Sequence, residues 1–215
     1  MIKAVFFDLD GTLADTAPDL GYALNTMRVA RGHLPLPSSA TRPVASSGAR
    51  GLLHAGFGIG PGHPDYDAMR SEFLQIYEAN ICRESRLFPG MLELLDAIEA
   101  RGLRWGVVTN KAERLARLLL DVLGMRSRAS CLVGGDSTPN IKPHPDPLFA
   151  ACGTIHENAS ACIYVGDDLR DIEAAHAAGM KAAVAKWGYL NGQDRESWNA
   201  DWLIDGPQDL LQYLP

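Results

Sequence analysis

Apolar residues recur along this chain with two different periods, and the period changes with position. Val5, Phe6 and Phe7 form a short unbroken apolar run that predicts a buried strand over 3–7, ending in Asp8-Leu9-Asp10-Gly11-Thr12. From residue 19 to 31 the spacing becomes helical, with Leu20, Ala23, Leu24 and Met27 on one face. Residues 32–43, rich in Pro and Ser, read as a loop, followed by a short apolar stretch over 52–55 and another loop over 56–64. Residues 65–80 predict an amphipathic helix with Met69, Phe73, Ile76 and Tyr77 as its apolar face. Beyond Pro89-Gly90, strand and helix signals alternate. Strands are expected over 105–109, 131–133, 162–165, 182–185 and 202–204, with helices over 91–102, 113–123, 145–155 and 172–178 between them.

That alternation predicts an α/β fold: a doubly wound parallel sheet, Rossmann-like, with an inserted helical module. The expected division is a core of 1–15 and 86–215, with 16–85 as the insertion. An insertion after the first strand is well placed to act as a lid over a crevice at the strand ends.

Composition narrows the function. The chain has 215 residues, 47% hydrophobic and 21% charged, with a formal charge of −6. This suits a compact folded protein, and the absence of a basic patch argues against a nucleic-acid partner. The four cysteines show no paired spacing, so reduced thiols are expected. The apolar run before Asp8 is too short for a membrane span or a leader, so the expectation is a cytoplasmic protein without membrane attachment. An acidic protein that handles an anion needs local positive charge.

Four loci carry candidate chemistry. Asp8 and Asp10 are two apart on an extended chain, so their carboxylates face the same way. Converging carboxylates repel unless a proton or cation joins them; such oxygens suit Mg²⁺, and such pairs also supply a nucleophile and an acid/base. An Asp-Gly turn with a helix-capping Asp would explain the same residues. Thr109, followed by Asn110 and Lys111, places a hydroxyl at a strand end, where it can bind phosphate or merely cap the next helix. Lys142 lies in a loop stiffened by Pro143 and Pro145 and can neutralise phosphate charge. Gly166-Asp167-Asp168-Leu169-Arg170-Asp171 clusters acids after a buried strand, as a metal site would, although a helix N-terminus also favours acids.

Taken in order, acid pair, hydroxyl, lysine and acid cluster resemble the haloacid dehalogenase superfamily over nearly the whole chain, within it the phosphoglycolate phosphatases with a helical cap. Ser47-Gly48-Ala49-Arg50, the run 105–111, the run 166–173 and Trp187-Gly188-Tyr189 resemble more narrowly the N-acetylmuramic acid 6-phosphate phosphatase branch. The resemblance implies a Mg²⁺-dependent phosphatase acting on a small phosphorylated metabolite bearing a carboxylate. By it, Asp8 is the nucleophile and Asp10 the acid/base. Thr109, Asn110 and Lys142 bind phosphate; Asp8, Asp10, Asp167 and Asp171 serve the metal. Ser47 and Arg50 border Gly48 in the cap and are the candidates for substrate choice, Arg50 by pairing with a carboxylate. The alternatives are a sugar-phosphate mutase of the same superfamily, a phospho-receiver signalling domain and a catalytically silent binding module. The receiver places its acceptor aspartate on a later strand than its acid pair and lacks a helical insertion.

Overall fold

The computed structural model describes residues 1–189, 192 and 194–215. The chain forms two compact units. One comprises Met1–Ala14, Leu87–Gly188 and Asp194–Pro215; the other comprises Asp15–Arg86 and Tyr189–Gln193.

The first unit is built on a six-stranded sheet. Its strands are β1 (Ala4–Phe7), β2 (Arg104–Val108), β3 (Leu132–Val133), β4 (Cys162–Gly166), β5 (Lys181–Ala185) and β6 (Trp202–Ile204). They lie in the order β3-β2-β1-β4-β5-β6, and every recorded pairing among them is parallel. All four residues of β1 are fully buried, which explains its unbroken apolar run: a central parallel strand is covered on both faces. On one face Ala4, Phe6, Val108, Leu148, Ile155, Tyr164, Ile172 and Val184 share a single apolar cluster. The order of connection reverses between β1 and β4, and a doubly wound sheet opens its ligand crevice at that reversal. Phe7 pairs with both Val107 and Val165, so the ends of the three central strands lie level.

The second unit is helical: α1 (Ala17–Ala30), α2 (Ser38–Thr41), a 3₁₀ turn (Arg42–Ser47), α3 (Gly48–Phe57) and α4 (Tyr66–Ala79). Its core holds Leu24 and Met27 of α1, Leu52 and Leu53 of α3, and Phe73 and Tyr77 of α4. Asp19, buried at 1% exposure, accepts from the Glu84 and Ser85 amides at 3.0 Å and the Ser85 hydroxyl at 2.6 Å. It thereby ties α1 to the end of the unit. Tyr189 Oη accepts from the Thr16 and Ala17 amides at 2.6 and 2.8 Å, satisfying two donors at the start of α1 that would otherwise lack partners.

The remaining helices are α5 (Met91–Ala100), α6 (Glu113–Val122), α7 (Asp146–Ile155) and α8 (Leu169–Ala177). Two expectations change. Residues 38–43, expected as loop, belong to helical turns, because Pro37 precedes one and Pro43 falls in the first turn of the next, where a fixed φ is an asset. The last long helix starts at Leu169, ahead of its apolar pattern, because Asp168 caps it. No helix among the described residues is long and apolar enough to cross a membrane.

Candidate active site

Asp8 follows β1 directly and its amide donates to Val165 O at 2.9 Å, so it is fixed to the end of β4 as well. Asp167 follows β4, and Asp171 sits in the first turn of α8. One carboxylate oxygen from each of Asp8, Asp167 and Asp171 lies within 4.8 Å of the others, and all three residues are buried. Lys142, 3% exposed, donates from Nζ to Asp8 Oδ1 at 2.9 Å, Asp171 Oδ1 at 2.7 Å and the Tyr164 hydroxyl at 2.7 Å. The Tyr164 hydroxyl in turn donates to Val108 O at 2.6 Å.

Three carboxylates meet one ammonium here, and the guanidinium charge of Arg170 also acts on Asp8 and Asp171 and that of Arg195 on Asp167. Burial pushes the Asp171 carboxyl up to about 6 against the pull of Lys142. Burial alone would lower the Lys142 ammonium, but Asp171 and Asp8 outweigh it, and its pKa ends above the ordinary value. Tyr164 is held protonated by burial and by the same carboxylates.

An all-oxygen donor set of three carboxylates suits a hard dication. The backbone is also shaped around Asp167. Gly11 has φ +90°, and a Cβ there would come within 2.3 Å of Asp167 Oδ2. A Cβ on Gly188 would come within 2.3 Å of Asp167 Cβ and 2.5 Å of Gly11 O. Trp187 Nε1 donates to Thr12 O at 3.0 Å, and Thr12 Oγ1 donates to Asp167 Oδ1 at 3.2 Å. Trp187 and Gly188 thus close the loop after β5 onto the acid pair's loop.

Thr109 directly follows β2, and its hydroxyl accepts from the Lys111 amide at 3.2 Å. It does not cap the following helix, whose N-cap position is Ala112. Asn110 spends both ends of its side-chain amide on the backbone of Lys142: Nδ2 donates to Lys142 O at 2.9 Å, and Oδ1 accepts from Lys142 N at 3.0 Å. This side chain therefore braces the lysine's backbone, with one Nδ2 proton beyond that bond.

Asp171 is similarly committed. Beside its bond to Lys142, its Oδ2 accepts from the Asp168 amide at 3.1 Å. Asp168 reciprocates by accepting from the Arg170 amide at 3.0 Å and from the Arg170 guanidinium at 2.7 and 2.9 Å. Burial works against the Asp168 carboxylate, yet the Arg170 fork holds it below its usual range. Ser47 lies in the 3₁₀ turn and Arg50 on α3 of the helical unit, with Arg50 exposed.

Two residues of this cluster escape a reading of the sequence. Lys111 Nζ sits 3.0 Å from both carboxylate oxygens of Asp10, with side-chain exposures of 7% and 14%. Tyr164 carries the one phenol in β4, and a polar tip within an apolar strand is the signal that could have found it. Lys111 adjoins Asn110, but nothing in its sequence neighbourhood distinguishes it from a solvated lysine.

A family model described as haloacid dehalogenase-like hydrolase matches residues 5–185. An N-acetylmuramic acid 6-phosphate phosphatase from Pseudomonas aeruginosa is 42% identical over 214 residues, 99% of this chain and 95% of that protein. A phosphoglycolate phosphatase from Xylella fastidiosa is 46% identical over 214 residues, 97% of this chain and 91% of that protein. Among solved structures, a predicted phosphoglycolate phosphatase from Haemophilus somnus superposes with TM-score 0.88 at 29% identity, covering 100% of this chain and 98% of that one.

Proposed function

The chain belongs to the haloacid dehalogenase-like hydrolase family and is a phosphatase, and from that premise we propose that it hydrolyses a small-metabolite phosphate monoester through a phospho-aspartyl intermediate on Asp8. The observation that carries the reading is the contact of Lys142 with Asp8 inside a buried acid cluster. A nucleophilic carboxylate must be aimed, and the bond from Lys142 Nζ to Asp8 Oδ1 at 2.9 Å aims this one.

Asp8 attacks phosphorus with the oxygen that becomes the acyl phosphate bridge. Asp10 donates a proton to the departing ester oxygen. It then takes one from the water that cleaves the acyl phosphate, leaving Asp8 regenerated and phosphate released. The Thr109 hydroxyl and the Lys142 ammonium hold the phosphoryl oxygens. Asp8, Asp167 and the Asp10 backbone carbonyl would hold Mg²⁺, which supplies charge neutralisation for the transferring group. Asp171, grouped with Asp8 and Asp167, braces Lys142 and the Asp168 amide, one through each oxygen, beside the metal site.

The helical unit serves as a cap, with Ser47 and Arg50 as candidates for substrate choice. The names of the relatives support two substrates, 2-phosphoglycolate and N-acetylmuramate 6-phosphate. The test is phosphate release with Mg²⁺ from both compounds, N-acetylglucosamine 6-phosphate and glucose 6-phosphate. Turnover that vanishes in Asp8→Asn and with chelator is expected. Equal release by Asp8→Asn, in protein verified free of deamidation, would sink the nucleophile.

A further inference from the structure

We infer that Trp187 is a positioning residue for the divalent cation: acting through Thr12, its indole N–H sets the aim of the Asp167 carboxylate and thereby the affinity of the site. The inference rests on the reading above in one respect, that Asp167 holds Mg²⁺.

Three contacts within the sheet unit carry it. Trp187 Nε1 donates to Thr12 O at 3.0 Å, and because an indole nitrogen only donates, the direction of this bond is fixed. The next amide along the acid loop, that of Leu13, donates to Asp8 O at 3.2 Å. The peptide joining Thr12 to Leu13 is thus gripped by its carbonyl and by its N–H. A peptide is planar, so holding both groups fixes its orientation, and with it the direction in which Thr12 projects its side chain. Thr12 is fully buried, and that side chain ends on Asp167, its Oγ1 donating to Oδ1 at 3.2 Å. The last torsion of an aspartate is soft, so a bond to one oxygen decides how the carboxylate faces a cation.

Trp187 is itself held in place. The Lys186 amide before it donates to Ile204 O at 3.0 Å. Gly188 after it lies so close to Asp167 that a Cβ there would come within 2.3 Å of the Asp167 Cβ. The indole therefore reaches the acid loop from a fixed base after β5, and the chain Trp187, Thr12, Asp167 runs from that base to the carboxylate cluster.

The test is a double-mutant cycle of Trp187→Phe and Thr12→Val. It is read as the Mg²⁺ affinity of the substrate-free protein, from the rise of melting temperature with Mg²⁺ at constant ionic strength. Each single variant should bind Mg²⁺ about 10-fold more weakly, the usual effect of losing a partner that orients a metal ligand. The double variant should bind within about 2-fold of Thr12→Val alone, because both changes act on one carboxylate along one path. Thr12→Ser, which keeps the hydroxyl, should restore most of the affinity. Should a variant lose its thermal transition, Trp187→Leu or Thr12→Ala takes its place under the same criterion. A Trp187→Phe protein that melts lower without metal yet binds Mg²⁺ like the parent would show the indole serving the fold alone, and would overturn the inference. So would losses that add in full in the double variant, since Trp187 would then act by a route other than Thr12. A parent whose melting temperature does not respond to Mg²⁺ would instead overturn the metal reading on which the inference rests.

Discussion

Tyr164 shows how much of this site is held from behind. Its phenol receives a bond from Lys142 and passes one to Val108 O. Tyr164→Phe should leave the fold intact, cost about 1 kcal/mol in urea-induced unfolding, and lower kcat more than it raises KM. Asp171 makes a pH prediction. Its folded pKa of about 6 lies above the ordinary carboxylate value, so the folded state binds the proton more tightly than the unfolded chain. In metal-free protein its contribution therefore falls as pH rises from about 4 to about 6 and is level above that. Asp171→Asn should flatten that part of the melting-temperature profile; an unchanged slope would count against the assignment. The acids were legible in the sequence because charged residues after apolar strands demand a reason, whereas Lys142 stood out by the prolines that follow it and by the family resemblance. The commitments of Asn110 and Asp171 were not, because which partner a side chain takes depends on loops far away in the chain.

At the scale of elements, strand and helix order could be read from periodicity, and starts and stops could not. Helix α8 begins three residues before its apolar pattern because Asp168 and Asp171 cap one another's backbone. Asp168→Ala should cost about 1 kcal/mol of stability by thermal or urea melting, as the loss of a cap does. In the helical unit the corresponding fastener is Asp19. Removing a buried carboxylate that satisfies two amides and a hydroxyl should cost about 3 kcal/mol, and Asp19→Ala would be measured the same way. The turns over 38–43 were hidden because proline reads equally as loop and as helix start.

For the molecule as a whole, the helical insertion leaves and rejoins the sheet unit at neighbouring points. The Phe88 amide donates to Leu13 O at 3.3 Å. Replacing residues 15–86 with a short Gly-Ser linker should therefore give a sheet unit that still unfolds cooperatively, with substrate discrimination lost; a molten product would show that the unit needs its insertion. The doubly wound class was legible in full from the alternation of strands and helices, whereas the placement of Lys111 on Asp10 emerges only once β1 and β2 lie side by side. The central position of β1 also has a consequence in time. The first of the six strands is paired on one side with β2 and on the other with β4, which comes about 150 residues later. Asp8 thus leaves the ribosome long before Asp167 exists to join it. Until then the growing chain exposes one edge of its most apolar strand, which makes nascent-chain aggregation, rather than loss of the finished fold, the vulnerable stage in this protein's life.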